Sequence, residues 1–222
     1  DARRLEMEFF KKMGVYSKVP KEEARSQGAK VITTKWIDTN KGSEAEPNYR
    51  SRLVGRELNL QDRPDLFAPT PPLESLRYIV SKCASSQRRQ RPHRILSVDV
   101  SRAYFYAKSI RPVYIQIPAE DRLSGDEGKV GRLNLSLYGI RDAAQNWSVE
   151  YTLTLRAACF EPGGASPCNF VHSTKDLAIT VHGDDFAATG PIEELAWLEE
   201  VFRQRYGTKS SILGPDANQF QE

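Results

Sequence analysis

The feature that most constrains this chain is a pair of adjacent acids, Asp184-Asp185, set between two apolar runs. Residues 177–181 precede the sequence His182-Gly183-Asp184-Asp185, and residues 186–190 follow it. Apolar and β-branched flanks around a Gly-Asp pair predict a β-hairpin whose turn carries the acids. Two neighbouring carboxylates repel each other, and Mg²⁺ is a usual partner because it binds carboxylate oxygens. A solvated turn that serves only solubility is the alternative.

A second acidic site lies at Asp99, near the end of an apolar strand predicted at residues 94–100. The residues that follow predict a tight turn into a short helix. A carboxylate at the end of a buried strand is costly unless it is paired or binds metal. If this strand lies beside the hairpin, Asp99, Asp184 and Asp185 form a cluster able to hold two Mg²⁺ for in-line phosphoryl transfer. An ion pair with Arg102, or a helix cap, is the alternative.

The composition indicates a folded protein and leaves its partners open. With 222 residues, of which 39% are hydrophobic, the chain can bury a core as one large domain or two subdomains. Its net charge of +3 does not by itself indicate nucleic-acid binding. Basic residues are concentrated in two regions, for which solvated surface charge is the alternative. These residues are Lys30, Lys35, Lys41, Arg50, Arg52 and Arg56 in the first region, and Arg88, Arg89, Arg91 and Arg94 in the second.

The cysteines and histidines favour neither a disulfide framework nor a zinc site. Cys83, Cys159 and Cys168 are odd in number and have no metal-ligand spacing, which is typical of reduced thiols in an intracellular protein. The three histidines have no ligand spacing either. No apolar run approaches membrane-spanning length and no signal peptide opens the chain, so we expect no membrane partner.

Periodicity and turn residues predict a mixed α/β order without internal repeats. A proline-punctuated connector is predicted at residues 64–72. The predicted helices span residues 2–13, 73–84, 142–160 and 192–206. The predicted strands span residues 31–37, 50–58, 94–100, 113–117, 130–135 and 208–213, with the hairpin inside 170–189.

Six sequence blocks, taken in order, resemble the reverse transcriptase of copia-type LTR retrotransposons. They match that family's fingers strand and turn, its basic "KARLVARG" strand, and its "FAPV…SIR", "DVKTAFL", "SLYGLKQAPRAW" and "YVDD" motifs. The blocks are Lys35-Trp36-Ile37-Asp38 with Asn40-Lys41-Gly42, Arg50-Ser51-Arg52-Leu53-Val54-Gly55-Arg56, Phe67-Ala68-Pro69-Thr70 with Ser75-Leu76-Arg77, Asp99-Val100-Ser101-Arg102-Ala103-Tyr104-Phe105, Ser136-Leu137-Tyr138-Gly139-Ile140-Arg141-Asp142-Ala143-Ala144-Gln145-Asn146-Trp147, and His182-Gly183-Asp184-Asp185. His182 replaces the family's usual Tyr, Gly183 its Val, and Ala144 a common Pro.

The resemblance implies an α/β (α+β) fold with the palm and fingers of a right-hand polymerase. An antiparallel palm sheet with packed helices is expected, and the thumb is expected to be largely absent. Residues 1–93 would be mainly fingers with an N-terminal extension, and residues 94–222 mainly palm, with fingers residues interleaved at about 119–145, all within one reverse transcriptase domain. Because the chain starts at Asp1 rather than Met and stops soon after Gly214, we expect a segment of a longer polyprotein.

The resemblance also implies an RNA-directed DNA polymerase, a nucleotidyltransferase of a transposable element. Asp99, Asp184 and Asp185 would be catalytic and would bind two Mg²⁺ ions together with the carbonyl of Val100, with Mn²⁺ as a substitute ion. Expected partners are an RNA or DNA template with its primer, dNTPs, and the rest of the Pol polyprotein, namely integrase and RNase H. The expected location is intracellular, in a cytoplasmic virus-like particle.

The same resemblance assigns a dNTP site and a primer site. The dNTP candidates are Lys41, Arg50, Arg52, Arg56, Ser101, Arg102, Ala103, Tyr104, Tyr138 and Gly139. The backbone amides of residues 101–104 would face the triphosphate, and the three arginines would share one face of a regular strand. Tyr104 would be a steric gate against ribonucleotides or, alternatively, a core aromatic, with Tyr106 the next residue to test.

The primer terminus is assigned to His182 and Gly183. His182 is interpreted as a packing substitute for the family's aromatic residue, or as a titratable group beside the site. Gly139 would let backbone approach the templating pair, and Leu137 and Trp147 are predicted to be core residues.

Two other functions stay open from the sequence. One is a degenerate retroelement fragment that binds nucleic acid without catalysis, an interpretation that the unusual His182-Gly183 pair favours and the intact carboxylates oppose. The other is a different two-metal enzyme, such as a nucleotide cyclase with a similar palm. The blocks around Phe67 and Leu137 argue against a cyclase, which has no use for them.

Overall fold

The structure is a computed structural model that describes residues 1–58 and 66–214. The described residues form two compact units. The first takes its residues from Asp1–Phe67 and Tyr104–Trp147, and the second from Ala68–Ala103 and from Ser148 onward. Pro64, in the predicted connector, lies outside the described residues. Across both units helices and strands are mixed, as predicted.

The four predicted helices are confirmed to within a few residues at each end. The helices are α1 Ala2–Met13, α2 Lys21–Ser26, α3 Leu73–Ser85, α4 Ala143–Ala157 and α5 Ile192–Arg205. The first ends at Met13 because Gly14 adopts a left-handed conformation with φ of 66°, a common helix stop. The short α2 was not predicted. No helix in the described part of the chain is long and apolar enough to cross a membrane.

Most of the remaining regular secondary structure is β-strand. They are β1 Tyr16–Pro20, β2 Val31–Ile32, β3 Thr34–Asn40, β4 Tyr49–Gly55, β5 His93–Val100, β6 Tyr114–Ile115, β7 Lys129–Leu133, β8 Glu161–Pro162, β9 Asn169–His172, β10 Leu177–His182, β11 Asp185–Pro191 and β12 Thr208–Leu213. The strand predicted at residues 31–37 is divided in two. The strand predicted at residues 50–58 ends at Gly55.

The first unit contains a four-stranded sheet of order β1-β7-β6-β2 and the separate hairpin β3-β4. Its core is built around Phe10, Phe105, Ile115 and Leu137, all of which are buried. Phe10 and Phe105 meet edge to face with their ring centroids 4.8 Å apart. Leu137 is fully buried, as predicted for a core residue.

The second unit is built on a six-stranded antiparallel sheet of order β12-β5-β11-β10-β9-β8. Side chains on a strand alternate between two faces, so Val98 and Val100 of β5 are buried while Asp99 between them is exposed. Phe186 of β11 packs against Phe202 of α5, with ring centroids 4.8 Å apart. This packing holds the central strands in place up to their acidic ends.

Candidate active site

The predicted acidic hairpin is confirmed as β10-β11. In its register Val181 pairs with Phe186 and His182 pairs with Asp185, which leaves Gly183 and Asp184 as a two-residue loop. Gly183 has a φ of 65°, and Asp184 does not have a positive φ. This sign pattern matches a type II′ turn, which favours glycine at its first central position because a side chain there is strained. Asp184 therefore sits in the turn and Asp185 opens β11.

The strand that carries Asp99 lies directly beside this hairpin. β5 pairs with β11, and Asp99 is the register partner of Asp185. Directly opposed residues on antiparallel strands have Cβ atoms about 4.5–5.5 Å apart. The backbone N–H of Val100 donates to the carbonyl oxygen of Asp184 over 3.0 Å, which ties the turn to the end of β5. The proximity predicted for the three acids is thus built into the strand pairing.

The pKa of Asp185 reflects its partial burial and the two acids beside it. Partial desolvation, together with the charges of Asp184 and Asp99, raises the pKa of Asp185 above its ordinary value, and the charge of His182 opposes this effect. Asp99 itself is exposed, so the prediction that its cost comes from burial is wrong. The charged form of Asp185 is thus disfavoured first by its partial desolvation and then by its two acidic neighbours.

The residues present suit a divalent cation. Asp99, Asp184, Asp185 and the Val100 carbonyl offer only oxygen ligands, the set that Mg²⁺ prefers, and crowded negative charge is what a bound cation relieves. Across residues 1–58 and 66–214, no three His, Cys, Asp or Glu side chains are gathered closely enough to hold a metal ion. The strand pairing therefore brings the three acids near one another, but their side chains do not converge on one point as the ligands of a bound metal do.

A lysine that sequence reasoning missed lies next to the acids. β12 pairs with the other side of β5, and Lys209 is the register partner of Asp99. Asp185, Asp99 and Lys209 thus form a row across three strands, and Lys209 is exposed. The strand at residues 208–213 was predicted, but its pairing partner was not, because more than a hundred residues separate β12 from β5. The only sequence signal for a charge beside the acids was the presence of a basic residue in the predicted strand at residues 208–213.

The turn after Asp99 has a strained backbone, and one of its amides is already hydrogen-bonded within the protein. Arg102 has a φ of 56°, a conformation that costs a non-glycine residue about 1–2 kcal/mol. The N–H of Ser101 donates to the carbonyl oxygen of Gly207 over 2.8 Å. The prediction that this amide faces a triphosphate is therefore wrong. Ala103 is buried and opens the short 3₁₀ turn Ala103–Tyr106.

Three predicted dNTP residues meet in the first unit. The ring centroids of Tyr104 and Tyr138 are 4.6 Å apart, and the Arg52 guanidinium lies 5.2 Å from the centroid of the Tyr138 ring. A cation over an aromatic face is attracted by the ring's quadrupole. Tyr104 is half-buried and packs against the core of this unit. Its ring is therefore held in place by a neighbour, whether it acts as a gate or as a core residue.

Both the backbone conformation at position 139 and the closeness of the Gly55 backbone require glycine there. Its φ is 78°, and a Cβ at this position would collide with the carbonyl oxygen of Gly55 and lie 3.1 Å from the carbonyl carbon. The N–H of Gly55 donates to the carbonyl oxygen of Tyr138 over 2.8 Å. The close backbone approach that glycine permits is thus made to the end of β4.

The three arginines predicted for the dNTP site do not all share one strand face. Arg50 and Arg52 are two residues apart on β4 and therefore share a face, with Arg50 exposed and Arg52 half-buried. Arg56 lies beyond Gly55, where the strand ends, so the prediction that it continues their face is wrong. Lys41 is exposed in the connecting loop, where its N–H donates to the carbonyl oxygen of Asn48 over 2.8 Å.

The two primer candidates lie at the turn of the β10-β11 hairpin. His182 is exposed at the end of β10, so it does not fill a packed position as the packing interpretation required. It remains a charge neighbour of Asp185. Gly183 is exposed, and a Cβ there would meet no atom within 4 Å.

The family model and the relatives that match this chain agree on one family. Residues 18–211 match the family model described as reverse transcriptase (RNA-dependent DNA polymerase). The chain is 23% identical over 197 residues to the retrovirus-related Pol polyprotein from transposon TNT 1-94 of Nicotiana tabacum, covering 85% of this chain and 14% of that protein. It is 25% identical over 194 residues to the transposon Ty1-ER2 Gag-Pol polyprotein of Saccharomyces cerevisiae, covering 86% of this chain and 10% of that protein.

Among solved structures, a foamy viral protease-reverse transcriptase in complex with double-stranded DNA resembles the chain with a TM-score of 0.42 and 14% identity. That likeness covers 92% of this chain and 30% of the viral one. The chain spans about a seventh or less of the two polyproteins that it matches.

Proposed function

The chain belongs to the reverse transcriptase (RNA-dependent DNA polymerase) family, and from this premise we propose that it adds dNTPs to a primer 3′-OH on an RNA or DNA template. The observation that carries the proposal is the register of β5 and β11, which sets Asp99 opposite Asp185 beside the turn that holds Asp184. Acids placed together in this way can bind divalent cations, and two such cations would offset the negative charge of a phosphoryl-transfer reaction.

The reaction is a nucleotidyl transfer. The 3′-OH of the primer loses its proton to water, its oxygen bonds to the α-phosphorus of the dNTP, and the bond from that phosphorus to the pyrophosphate oxygen breaks. Asp99, Asp184, Asp185 and the Val100 carbonyl would hold two Mg²⁺, which when bound lower the pKa of the 3′-OH and stabilise the charge on the leaving pyrophosphate.

The protein's own part is to position these groups. The hydrogen bond between Val100 and Asp184 fixes the backbone of the turn against β5, so metal uptake would require the acidic side chains to converge on a backbone that is already in place. Lys209, opposite Asp99, adds a positive charge on the same strand row. It would temper the repulsion among the acids and attract phosphate.

Substrate selection is proposed for the first unit. Tyr104 would exclude the ribose 2′-OH, and its contact with Tyr138 would hold its ring in place. Arg52 lies over Tyr138 and would present its remaining donors to the dNTP, while exposed Lys41 and Arg50 would meet phosphates. His182 and Gly183 would lie beneath the primer terminus.

The wider assignments are proposed on the same premise. The first unit would correspond mainly to fingers and the second mainly to palm. The relatives are Pol polyproteins, so integrase and RNase H are the proposed companion domains, and a cytoplasmic virus-like particle is the proposed location.

Primer extension with Mg²⁺ tests the proposal on RNA and DNA templates. Asp184→Asn should lower the rate by several orders of magnitude, because a charged oxygen ligand is lost at nearly constant shape. The matched control is Glu161→Gln, an exposed carboxylate on β8 of the same unit, which should extend at the normal rate. Circular dichroism checks that both variants are folded.

Two results would contradict the proposal. Normal extension by Asp184→Asn would remove the acids from the mechanism. An unmodified chain that binds primer–template in a salt-sensitive manner but never extends it would identify a degenerate, non-catalytic copy.

A further inference from the structure

An ion-pair network in the first unit joins three segments that are distant in the sequence. The Nη2 of Arg111 lies 2.8 and 2.6 Å from the two carboxylate oxygens of Glu57, and 3.0 Å from Oδ1 of Asp142. The side chain of Glu57 is 18% exposed and that of Asp142 is 7% exposed. Carboxylates shielded from water are costly unless a cation and hydrogen bonds compensate them. One guanidinium therefore compensates two shielded carboxylates, unlike the mostly exposed pair of Arg25 and Glu22 in the same unit.

Glu57 holds a loop that carries two of the candidate dNTP residues. The loop consists of residues 138–141 and is called the Tyr138 loop below. The Oε2 of Glu57 accepts a hydrogen bond from the N–H of Arg141 over 2.8 Å. The N–H of Glu57 donates to the carbonyl oxygen of Gly139 over 3.4 Å. Glu57 thus binds the loop both through its backbone and through its side chain.

Arg111 fixes the carboxylate that holds this loop. It binds Glu57 and also Asp142, which lies directly after the loop and before α4. A carboxylate that accepts hydrogen bonds from a guanidinium and from a backbone N–H is oriented by both donors. Because both carboxylates contact the same nitrogen, loss of Arg111 would leave them close together without a cation, and they would repel each other. That repulsion would act directly on the ends of the Tyr138 loop.

The Tyr138 ring depends on the backbone of this loop for its position. The N–H of Gly55 donates to the carbonyl oxygen of Tyr138 over 2.8 Å, which adds a third attachment to the end of β4. The Tyr138 ring then contacts Tyr104, with centroids 4.6 Å apart, and lies 5.2 Å from the guanidinium of Arg52. A displacement of about 1 Å in groups that position a substrate is enough to lower a reaction rate substantially.

We propose that Arg111 and Glu57 are positioning residues for the dNTP site, because they hold the loop from which Tyr138 supports Tyr104. Neither residue touches the reacting atoms, and both act through the two tyrosines. The inference rests on the proposed function, which gives these tyrosines a nucleotide to select.

The test compares Arg111→Met with the matched control Arg132→Met in the same unit. Arg132 of β7 pairs with Glu23 of α2 over 3.1 Å, so the control removes an ion pair at another place in the fold. NMR of the full chain should show a nuclear Overhauser effect between the rings of Tyr104 and Tyr138. This signal should persist in the control and be lost in Arg111→Met. Circular dichroism checks that both variants are folded.

Primer extension then measures the effect on the nucleotide. Arg111→Met should raise the KM for dNTP roughly tenfold, the effect of losing one hydrogen bond, and should raise the ratio of rNTP to dNTP incorporation. Arg132→Met should leave both unchanged. A variant that is merely less folded lowers the apparent kcat at constant KM and constant ratio, so loss of structure does not imitate the expected result.

Glu57→Gln provides a second variant of nearly constant shape. Its amide has a single acceptor oxygen, so it cannot serve the Arg111 guanidinium and the Arg141 N–H as the carboxylate does. It should change the ring contact, the KM and the ratio in the same directions as Arg111→Met.

Two results would overturn the proposal: an unchanged contact between the two rings in both variants, or an unchanged KM and ratio in variants that extend primer. The ring contact is measured without polymerase activity. An unmodified chain that never extends primer would therefore contradict the proposed function, while the ring contact alone would still decide whether Arg111 and Glu57 hold the Tyr138 loop.

Discussion

Replacing Gly139 with alanine should destabilise the first unit severely. A residue other than glycine at a φ of 78° costs about 1–2 kcal/mol. The added Cβ would also collide with the carbonyl oxygen of Gly55, a backbone atom that cannot turn aside as a flexible side chain can. Moving it would break the 2.8 Å hydrogen bond from the Gly55 N–H to Tyr138, a loss of about 1 kcal/mol. The expected total is about 2–3 kcal/mol, a large part of the 5–15 kcal/mol of a typical domain.

The matched control is Gly14→Ala in the same unit. Gly14 has a φ of 66°, nearly that of Gly139, but a Cβ there would meet no atom within 4 Å. This variant carries only the conformational cost, about 1–2 kcal/mol. That cost cancels in the comparison, so the difference between the two variants, about 1 kcal/mol, isolates the collision with Gly55.

Urea unfolding followed by fluorescence measures both variants, since Trp36 and Trp147 belong to the first unit. Circular dichroism should report the same transition, which checks that unfolding is two-state. If Gly139→Ala unfolds at the same urea concentration as Gly14→Ala, the approach of Gly139 to Gly55 is not a constraint and the argument fails.

Further predictions concern the gate, two buried threonines and a buried histidine. Tyr104→Ala should raise the ratio of rNTP to dNTP incorporation by an order of magnitude or more while Tyr104→Phe preserves it, because the ring does the excluding; an unchanged ratio in competition assays would make Tyr104 a core residue. The buried Oγ1 of Thr180 has no hydrogen-bond partner among the described residues, whereas the Oγ1 of Thr189 donates to the carbonyl oxygen of Arg94 over 3.0 Å. Thr180→Val should therefore raise the free energy of unfolding by up to about 1 kcal/mol and Thr189→Val should lower it by about as much, and urea melts that rank them in the opposite order would contradict this contrast. Burial lowers the pKa of His93 despite its 2.9 Å hydrogen bond to Asp176, so the unfolded chain, with a pKa of about 6.5, binds the proton more readily. Stability should therefore fall as the pH drops from 7 through that value, and His93→Gln should flatten the dependence of the urea midpoint on pH between 7 and 5.

Most of the helices and strands could be predicted from local patterns in the sequence. Apolar flanks around Asp184-Asp185 were enough to predict the hairpin, since both strands are close in sequence and their turn residue is distinctive. The helix that ends at Met13 followed from apolar spacing and Gly14. Short elements such as β1 and α2 were missed because neither is long enough to establish a period.

The proximity of several predicted site residues is confirmed, while their roles stay predictions. The strand pairing brings the three acids together, and Tyr104 lies against Tyr138. What failed depended on contacts between distant segments: Lys209 opposite Asp99 is set by the pairing of β12 with β5, and the Ser101 amide is used by Gly207. No local pattern encodes which strand a short terminal segment will join.

The position of β12 also has a consequence for how the protein behaves at high concentration. In the described residues β12 is the outer strand of its sheet, so one row of its backbone N–H and C=O groups is available to a strand from another molecule. Natural sheets often protect such an edge with a charged residue, lysine above all, because pairing would bury its ammonium group. Lys209 is exposed on this strand and has that protective chemistry. We therefore expect Lys209, the register partner of Asp99, also to oppose pairing of β12 with a strand from another copy of the chain.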